Sequence, residues 1–169
     1  MEIFNKIHEN FLFANEIVLY GISLSNFLFS LFFFIFFIVF RNFLKKIVVK
    51  KFSIVLRFSD KKIKESFINS IDKPIEFFVI AIGIFSATNL LNAPQKINIF
   101  FNNINLSLFT ILIFWLISKI IEPLSYKIKN LKTVLTKDLL DWLISAIKIV
   151  VFIFGFSAVL VLWGIRVGP

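Results

Sequence analysis

From residue 17 to residue 40 the chain carries no charged side chain, and the run Phe32-Phe33-Phe34-Ile35-Phe36-Phe37-Ile38-Val39-Phe40 within it has no polar side in any regular backbone geometry. A strand alternates its faces every second residue and an amphipathic helix every third or fourth, so neither can turn half of such a run toward water. As a helix rising about 1.5 Å per residue, the uncharged stretch covers about 36 Å, enough to cross a hydrocarbon core of about 30 Å. Lipid is the solvent that suits it. The whole chain agrees: of 169 residues 59% are hydrophobic, 25 are phenylalanine, and the mean hydropathy is +0.91, against roughly 45–50% apolar content in a soluble domain. The expected fold is therefore all-α, an integral membrane bundle of four transmembrane helices, and not a soluble enzyme.

Charge and punctuation divide the chain. The first span is expected over residues 17–40, kept in the mature protein. Glu2, Glu9 and Glu16 stand before it where a signal peptide would be basic, the run is too long for a signal core, and no small-x-small cleavage site follows. Ten cations, Arg41, Lys45, Lys46, Lys50, Lys51, Arg57, Lys61, Lys62, Lys64 and Lys73, then crowd a segment that holds only Asp60, Glu65 and Asp72 in balance. That segment belongs in water or at lipid headgroups. Pro74 suits the first turn of a helix, where its missing N–H is not needed, so a second span is expected over 75–92. The asparagine-rich stretch 98–105 is expected to turn the chain into a third span over 106–121, stopped by Glu122-Pro123. Residues 124–141 form a second basic connector, and 142–163 the fourth span, with Trp142 and Trp163 at its ends where indoles favour the membrane interface.

The basic connectors follow the first and third spans, while the other three segments outside the spans carry one cation each, Lys6, Lys96 and Arg166. By the positive-inside rule both connectors are cytoplasmic and both termini face outward, in a multi-pass protein of the cell inner (plasma) membrane. The net charge of +9 thus sets topology and meets anionic headgroups; nucleic acid is not an expected partner.

Side chains able to carry chemistry are few. His8 is the single histidine and there is no cysteine, so no metal centre, thiol nucleophile or Ser-His-Asp arrangement is expected. Nor is there a phosphate-binding glycine loop, and no cofactor is expected. Charges at membrane depth are functional hypotheses by default. Glu76 can pair with Lys73 at the headgroups, Lys119 with Glu122 one helical turn on, and Glu122 can approach Lys148 if the last two spans form a hairpin; end-of-helix snorkelling accounts for the same charges. None lies at the midplane, against a proton-coupled transporter. Lys127, Lys129, Lys132 and Lys137 are candidate contacts to lipid headgroups, the first three interleaved with Leu124, Tyr126, Ile128 and Leu131, and a bare topology signal is the alternative. Gly83 and Ala87 stand four apart, a surface on which helices approach closely. Asp138 and Asp141 complement the dipole at the start of the last helix.

The C-terminal part, roughly residues 104–169, carries a further pattern. A hairpin with a basic connector leads into Asp138-Leu139-Leu140-Asp141-Trp142-Leu143-Ile144-Ser145-Ala146-Ile147-Lys148-Ile149-Val150-Val151, then Leu160-Val161-Leu162-Trp163-Gly164-Ile165. This resembles the small-conductance mechanosensitive channel (MscS) family, in which such a helix belongs to a tension-sensing hairpin and ends in a Leu-rich stretch and Gly-Ile before the pore helix. The resemblance implies two regions: 1–103, two spans with a basic cytoplasmic loop, and 104–169, a sensor-like hairpin. It implies membrane lipids as partners, a homo-oligomer that is a heptamer in the complete channel, and ion transport under osmotic stress. The family's glycine- and alanine-rich pore helix and β-rich cytoplasmic domain would begin where the sequence stops, at Arg166-Val167-Gly168-Pro169, so a sensor region without its pore is expected. The competing expectation is a non-conducting membrane protein that binds anionic lipid or a partner through its basic loops.

Overall fold

The computed structural model describes residues 18–55, 61–127 and 136–168. Among them the chain forms four helices, α1 (Leu24–Val55), α2 (Lys61–Leu90), α3 (Gln95–Lys127) and α4 (Lys137–Leu162), preceded by a minimal hairpin of β1 (Val18–Leu19) and β2 (Ile22–Ser23). The all-α expectation holds. Three helical segments, Leu24–Lys51, Gln95–Ile121 and Asp138–Leu162, are long and apolar enough to cross a membrane. The helix containing the second expected span, α2, is not one of them. Its first half is strongly charged, and it keeps Lys73 and Glu76 beside the apolar stretch.

Each helix packs on its neighbour in sequence, α1 on α2, α2 on α3 and α3 on α4. Adjacent helices run antiparallel: Ser30 meets Ala87 and Lys45 meets Asp72 across one pair, Asn105 meets Thr88 across the next, and Trp163 meets Ser107 across the last. The result is a row with α2 and α3 inside and α1 and α4 at the edges. The core lies where three helices meet. Phe67, Ile71 and Ile75 recur every fourth residue on one side of α2, with Val48 and Val49 of α1 and Leu116 and Ile120 of α3 packed against them. The edge helices keep wide apolar surfaces, including Phe32, Val39 and Phe43 on α1 and Trp142, Phe154 and Phe156 on α4.

Several boundaries differ from the sequence reading. Helix α1 begins at Leu24, not at residue 17. In the hairpin before it, Tyr20 and Gly21 sit at φ 53° and 80°, the left-handed pair of a type I′ turn, and glycine supplies the second at no steric cost. A side chain at Gly21 would also collide with Pro94 Cγ, 2.6 Å from its Cβ position, so the hairpin rests on the α2–α3 turn. Ser23 then caps the helix, its Oγ accepting from the Asn26 N–H at 3.4 Å.

Pro74 does not open a helix but lies fully buried inside α2. A proline costs an interior helix one hydrogen bond and a clash with the preceding turn. Here the Phe67–Ile71–Ile75 stripe runs through it, and burial on both sides holds the helix together. Pro123 likewise lies within α3, which continues to Lys127. The largest difference concerns residues 98–105, which are helical in α3. The chain reverses earlier, at residues 91–94, where Asn92 takes φ 45° and Pro94 sets up the next helix, its carbonyl accepting from the N–H groups of Ile97 and Asn98. The domain boundary at 103/104 therefore falls within a continuous helix.

Buried polar groups tie the row together. Ser30 Oγ donates to the Ala87 carbonyl at 2.7 Å across the α1–α2 contact. Interhelical bonds of this kind between membrane helices average about 0.6 kcal/mol and reach about 1.7. Ser30→Ala is expected to lower stability by that order in a chemical denaturation series in mixed micelles; no change would place the bond outside the folding balance.

Candidate functional site

The α3–α4 hairpin contains the residues that the sequence singles out. Lys119 is exposed on α3, Lys148 is half-buried on α4, and Lys127 and Lys137 occupy the last position of α3 and the first of α4. Glu122 belongs to α3, but its side chain, with Lys129, Lys132 and most of the connector, lies outside the described residues, as does His8. What joins the two helices is packing. Gly155 of α4 lies against Phe114 of α3, so close that a Cβ on it would sit 2.9 Å from both Cβ and Cγ of that ring. At the end of the hairpin Trp163 Nε1 donates to Ser107 Oγ at 3.0 Å, and that hydroxyl donates in turn to the Asn103 carbonyl at 2.7 Å. The indole also meets Phe100 edge-on.

Gly164 ends α4 by a defined device. It stands at φ 77°, its N–H bonds to the Val161 carbonyl and that of Ile165 to the Leu160 carbonyl. This is the Schellman motif, in which a left-handed residue just past the helix closes the last carbonyls, and glycine fills that position without strain. The Gly-Ile pair noted in the sequence is thus a sharp stop that redirects the chain. Among the described residues nothing beyond its own chain neighbours lies within 4 Å of the Cβ position at Gly164, so the turn stands clear of the helices packed against α4.

Two polar sites were not assembled from the sequence. At one end of the α1–α2 pair, two cations four residues apart on α1 face two carboxylates four residues apart on α2. Lys45 Nζ lies 3.0 Å from Asp72 Oδ2 and 3.5 Å from Glu76 Oε2, Arg41 Nε lies 3.5 Å from Glu76 Oε1, and Lys73 Nζ lies 3.5 Å from Glu76 Oε2. The expected Lys73–Glu76 pair is present, but Glu76 also holds Arg41 and Lys45. Its side chain is 16% exposed and that of Lys45 17%, so these two charges are poorly hydrated and depend on each other. Arg41, Lys45 and Lys73 against Asp72 and Glu76 leave an excess of one positive charge. Beside them Lys45, Lys46, Val49, Lys50, Ile68 and Asp72 line a cleft of about 260 Å³. The signal in the sequence was the i, i+4 spacing of Arg41 with Lys45 and of Asp72 with Glu76, one basic and one acidic, on successive helices.

The other site lies at the opposite end of α2. Thr88, Asn89, Asn98, Asn102 and Asn105, with Asn92, Phe85 and Phe101, line a half-open cavity of about 320 Å³. Asn105 is buried, and its Nδ2 donates to Thr88 Oγ1 at 2.8 Å. The Thr88 hydroxyl reaches the carbonyls of Ile84 and Phe85, each at 3.0 Å. Because its one proton goes to those carbonyls, it can only accept from Asn105, which fixes the carboxamide and leaves Asn105 Oδ1 buried without a hydrogen-bond partner. Such an orphan costs about 1–3 kcal/mol. Asn98, Asn102 and Asn105 recur at helical spacing, the pattern that would have marked a helix face.

Comparison with known proteins adds no neighbour to this picture: no family model, no curated protein and no solved structure matches the chain.

Proposed function

We propose that this chain is the tension-sensing transmembrane region of a mechanosensitive channel of the small-conductance type. One observation carries the reading: α3 and α4 form an antiparallel hairpin whose outer helix is apolar almost all round, touches the bundle along one seam and ends abruptly at Gly164. Lateral tension favours whichever state occupies more area in the bilayer plane, so it acts on helices with a wide lipid-facing perimeter and few internal restraints. Displacement of α4 would pass through the Gly164 turn to whatever follows. The charge distribution supports a placement with both termini outside the cytoplasm and with α2 as the fourth crossing, its Lys73–Glu76 end at the inner headgroups beside Arg41 and Lys45. A homo-oligomer and membrane lipids are the partners of this reading, and it involves no enzymatic step.

The test is electrical. Residues 1–169 reconstituted in liposomes are expected to give no current under patch suction, and a form that continues past Pro169 through a glycine- and alanine-rich helix is expected to give tension-gated current. Silence from the longer form would overturn the proposal.

The cleft of Lys45, Lys46 and Lys50 favours a second reading, a non-conducting protein that holds anionic lipid at its basic end. It requires lipid selectivity without conductance, which the same liposomes report when phosphatidylglycerol replaces phosphatidylcholine.

A further inference from the structure

We propose that the basic cleft between α1 and α2 is a binding site for a lipid headgroup that carries two phosphates. Lys45, Lys46, Val49, Lys50, Ile68 and Asp72 line it, so three cations face one carboxylate and two positive charges remain. Lys45 does not supply them, because its ammonium lies 3.0 Å from Asp72 Oδ2 and 3.5 Å from Glu76 Oε2. Lys46 and Lys50 do. Both are exposed, and neither forms an ion pair with another described residue. Four residues apart on α1, they stand one helical turn from each other, with about 5–6 Å between their Cβ atoms. Each ammonium is a compact point charge able to take one phosphate. A headgroup with a single negative charge leaves one of the two lysines unanswered, whereas two phosphates on a short polyol bridge answer both.

The apolar part of the lining favours a lipid over a soluble anion. Val49 and Ile68 border the same space, and Val49 is fixed against the core of Phe67, Ile71 and Ile75. Such surface offers nothing to a hydrated phosphate ion, but it receives the first methylenes of an acyl chain. Depth agrees. Counted from Leu24, a hydrocarbon core of about 30 Å ends at about residue 44 at about 1.5 Å per residue, which leaves Lys46 and Lys50 among the headgroups. Their stems lie along apolar surface while the ammonium heads stay in the polar layer. A volume of about 260 Å³ is on the scale of a headgroup, with the chains left in the bilayer. The proposal deepens the anionic-lipid reading given above and rests on it, adding which charge the lipid carries.

The experiment uses the full chain in phosphatidylcholine nanodiscs that contain either cardiolipin or phosphatidylglycerol at equal total charge, and native mass spectrometry counts the lipids each protein retains. Saturable retention of cardiolipin in preference to phosphatidylglycerol is expected. Lys46→Gln and Lys50→Gln are each expected to weaken it about fivefold, the effect of one cation at the headgroups. Lys51→Gln removes the same charge from the next position of α1, also exposed but not part of the lining, and is expected to leave retention unchanged. Thermal midpoints in phosphatidylcholine alone establish that each variant is folded, and should one cleft variant fail that check, the other decides. Inorganic pyrophosphate, titrated calorimetrically into the same lipid, carries the phosphates without the chains and is expected not to saturate. Equal retention of the two lipids per charge overturns the two-phosphate assignment and leaves the anionic-lipid reading in place; retention of neither overturns both. Saturation by pyrophosphate without a preference for cardiolipin identifies a soluble anion and overturns the proposal, as does a loss in Lys51→Gln as large as in the cleft variants.

Discussion

Replacing Gly83 by alanine is expected to lower the unfolding midpoint of the purified chain, although helix propensity alone would raise it. Alanine is better than glycine inside a helix by about 1 kcal/mol. Against that, the new Cβ would stand 2.6 Å from Phe37 Cβ and 3.1 Å from its Cγ. These atoms lie at the root of the Phe37 side chain and cannot swing away, so α1 must move off α2. Overpacking of this kind costs about 1–3 kcal/mol, which leaves a net loss of up to about 2. Gly155 offers an independent case on the other hairpin, where the Cβ would meet Phe114. The two substitutions are far apart and should add. Phe114→Ala combined with Gly155→Ala should recover part of the loss by making room, whereas Phe114→Ala alone should not stabilise. A rise in midpoint for Gly83→Ala would show that the helices are not in the close contact described. Gly155→Ala also alters the seam on which α4 would move, so in a conducting form its effect is expected on the tension threshold rather than on unitary current.

Removing the carboxylate of Glu76 is expected to have an effect of similar size through a different cause. Glu76 is the shared partner of Arg41, Lys45 and Lys73. With Glu76→Ala, three cations retain only Asp72, and Lys45 is too shielded to recover its hydration in full. Exposed ion pairs contribute at most about 1 kcal/mol, and breaking a fully buried one costs about 3–5. For side chains 16–17% exposed the expected loss lies between, about 1–3 kcal/mol. Two readouts separate this from a local packing defect. The loss should shrink in 1 M salt, where the Debye length falls to about 3 Å, and Lys45→Met should rescue much of it by removing the stranded charge. Insensitivity to both would remove the electrostatic explanation.

These effects sit at contacts that were unevenly visible in the sequence. Gly83 and Ala87 announced a close approach by their spacing, and the structure supplies the partners: Phe37 against the glycine and Ser30 on the carbonyl of the alanine. Glu76 and Lys73 could be paired from a three-residue separation on one helix. Arg41 and Lys45 could not be added without knowing which side of α1 meets α2, because α1 is apolar all round as far as Phe40 and carries its cations on several sides beyond it, so its sequence names no face. The misplaced turn has a related origin. Asparagine favours turns when its side chain competes for local backbone groups, but in residues 98–105 Asn105 bonds Thr88 of the neighbouring helix and Asn98 bonds the Ala93 carbonyl, which lies in the turn before α3, so neither takes a bond from the helix itself. With that competition removed, the backbone stays helical.

What the chain determines by itself is its solvent and its element type. A stretch uncharged from residue 17 to residue 40, phenylalanine-rich and without a polar side, can satisfy its backbone in lipid only as a helix. What tertiary structure decided is where helices continue through prolines, which side of each meets its neighbour, and where polar groups gather. Pro74 and Pro123 read as boundaries because their local cost is fixed, yet burial of the stripe from Phe67 to Ile75 carries α2 past the first. The amide cavity exists only because the turn at residues 91–94 places Thr88 opposite Asn105. Local propensity acts through neighbours in the chain, whereas pairing and burial act through neighbours in space, and in a chain apolar on every side only the second can choose among faces.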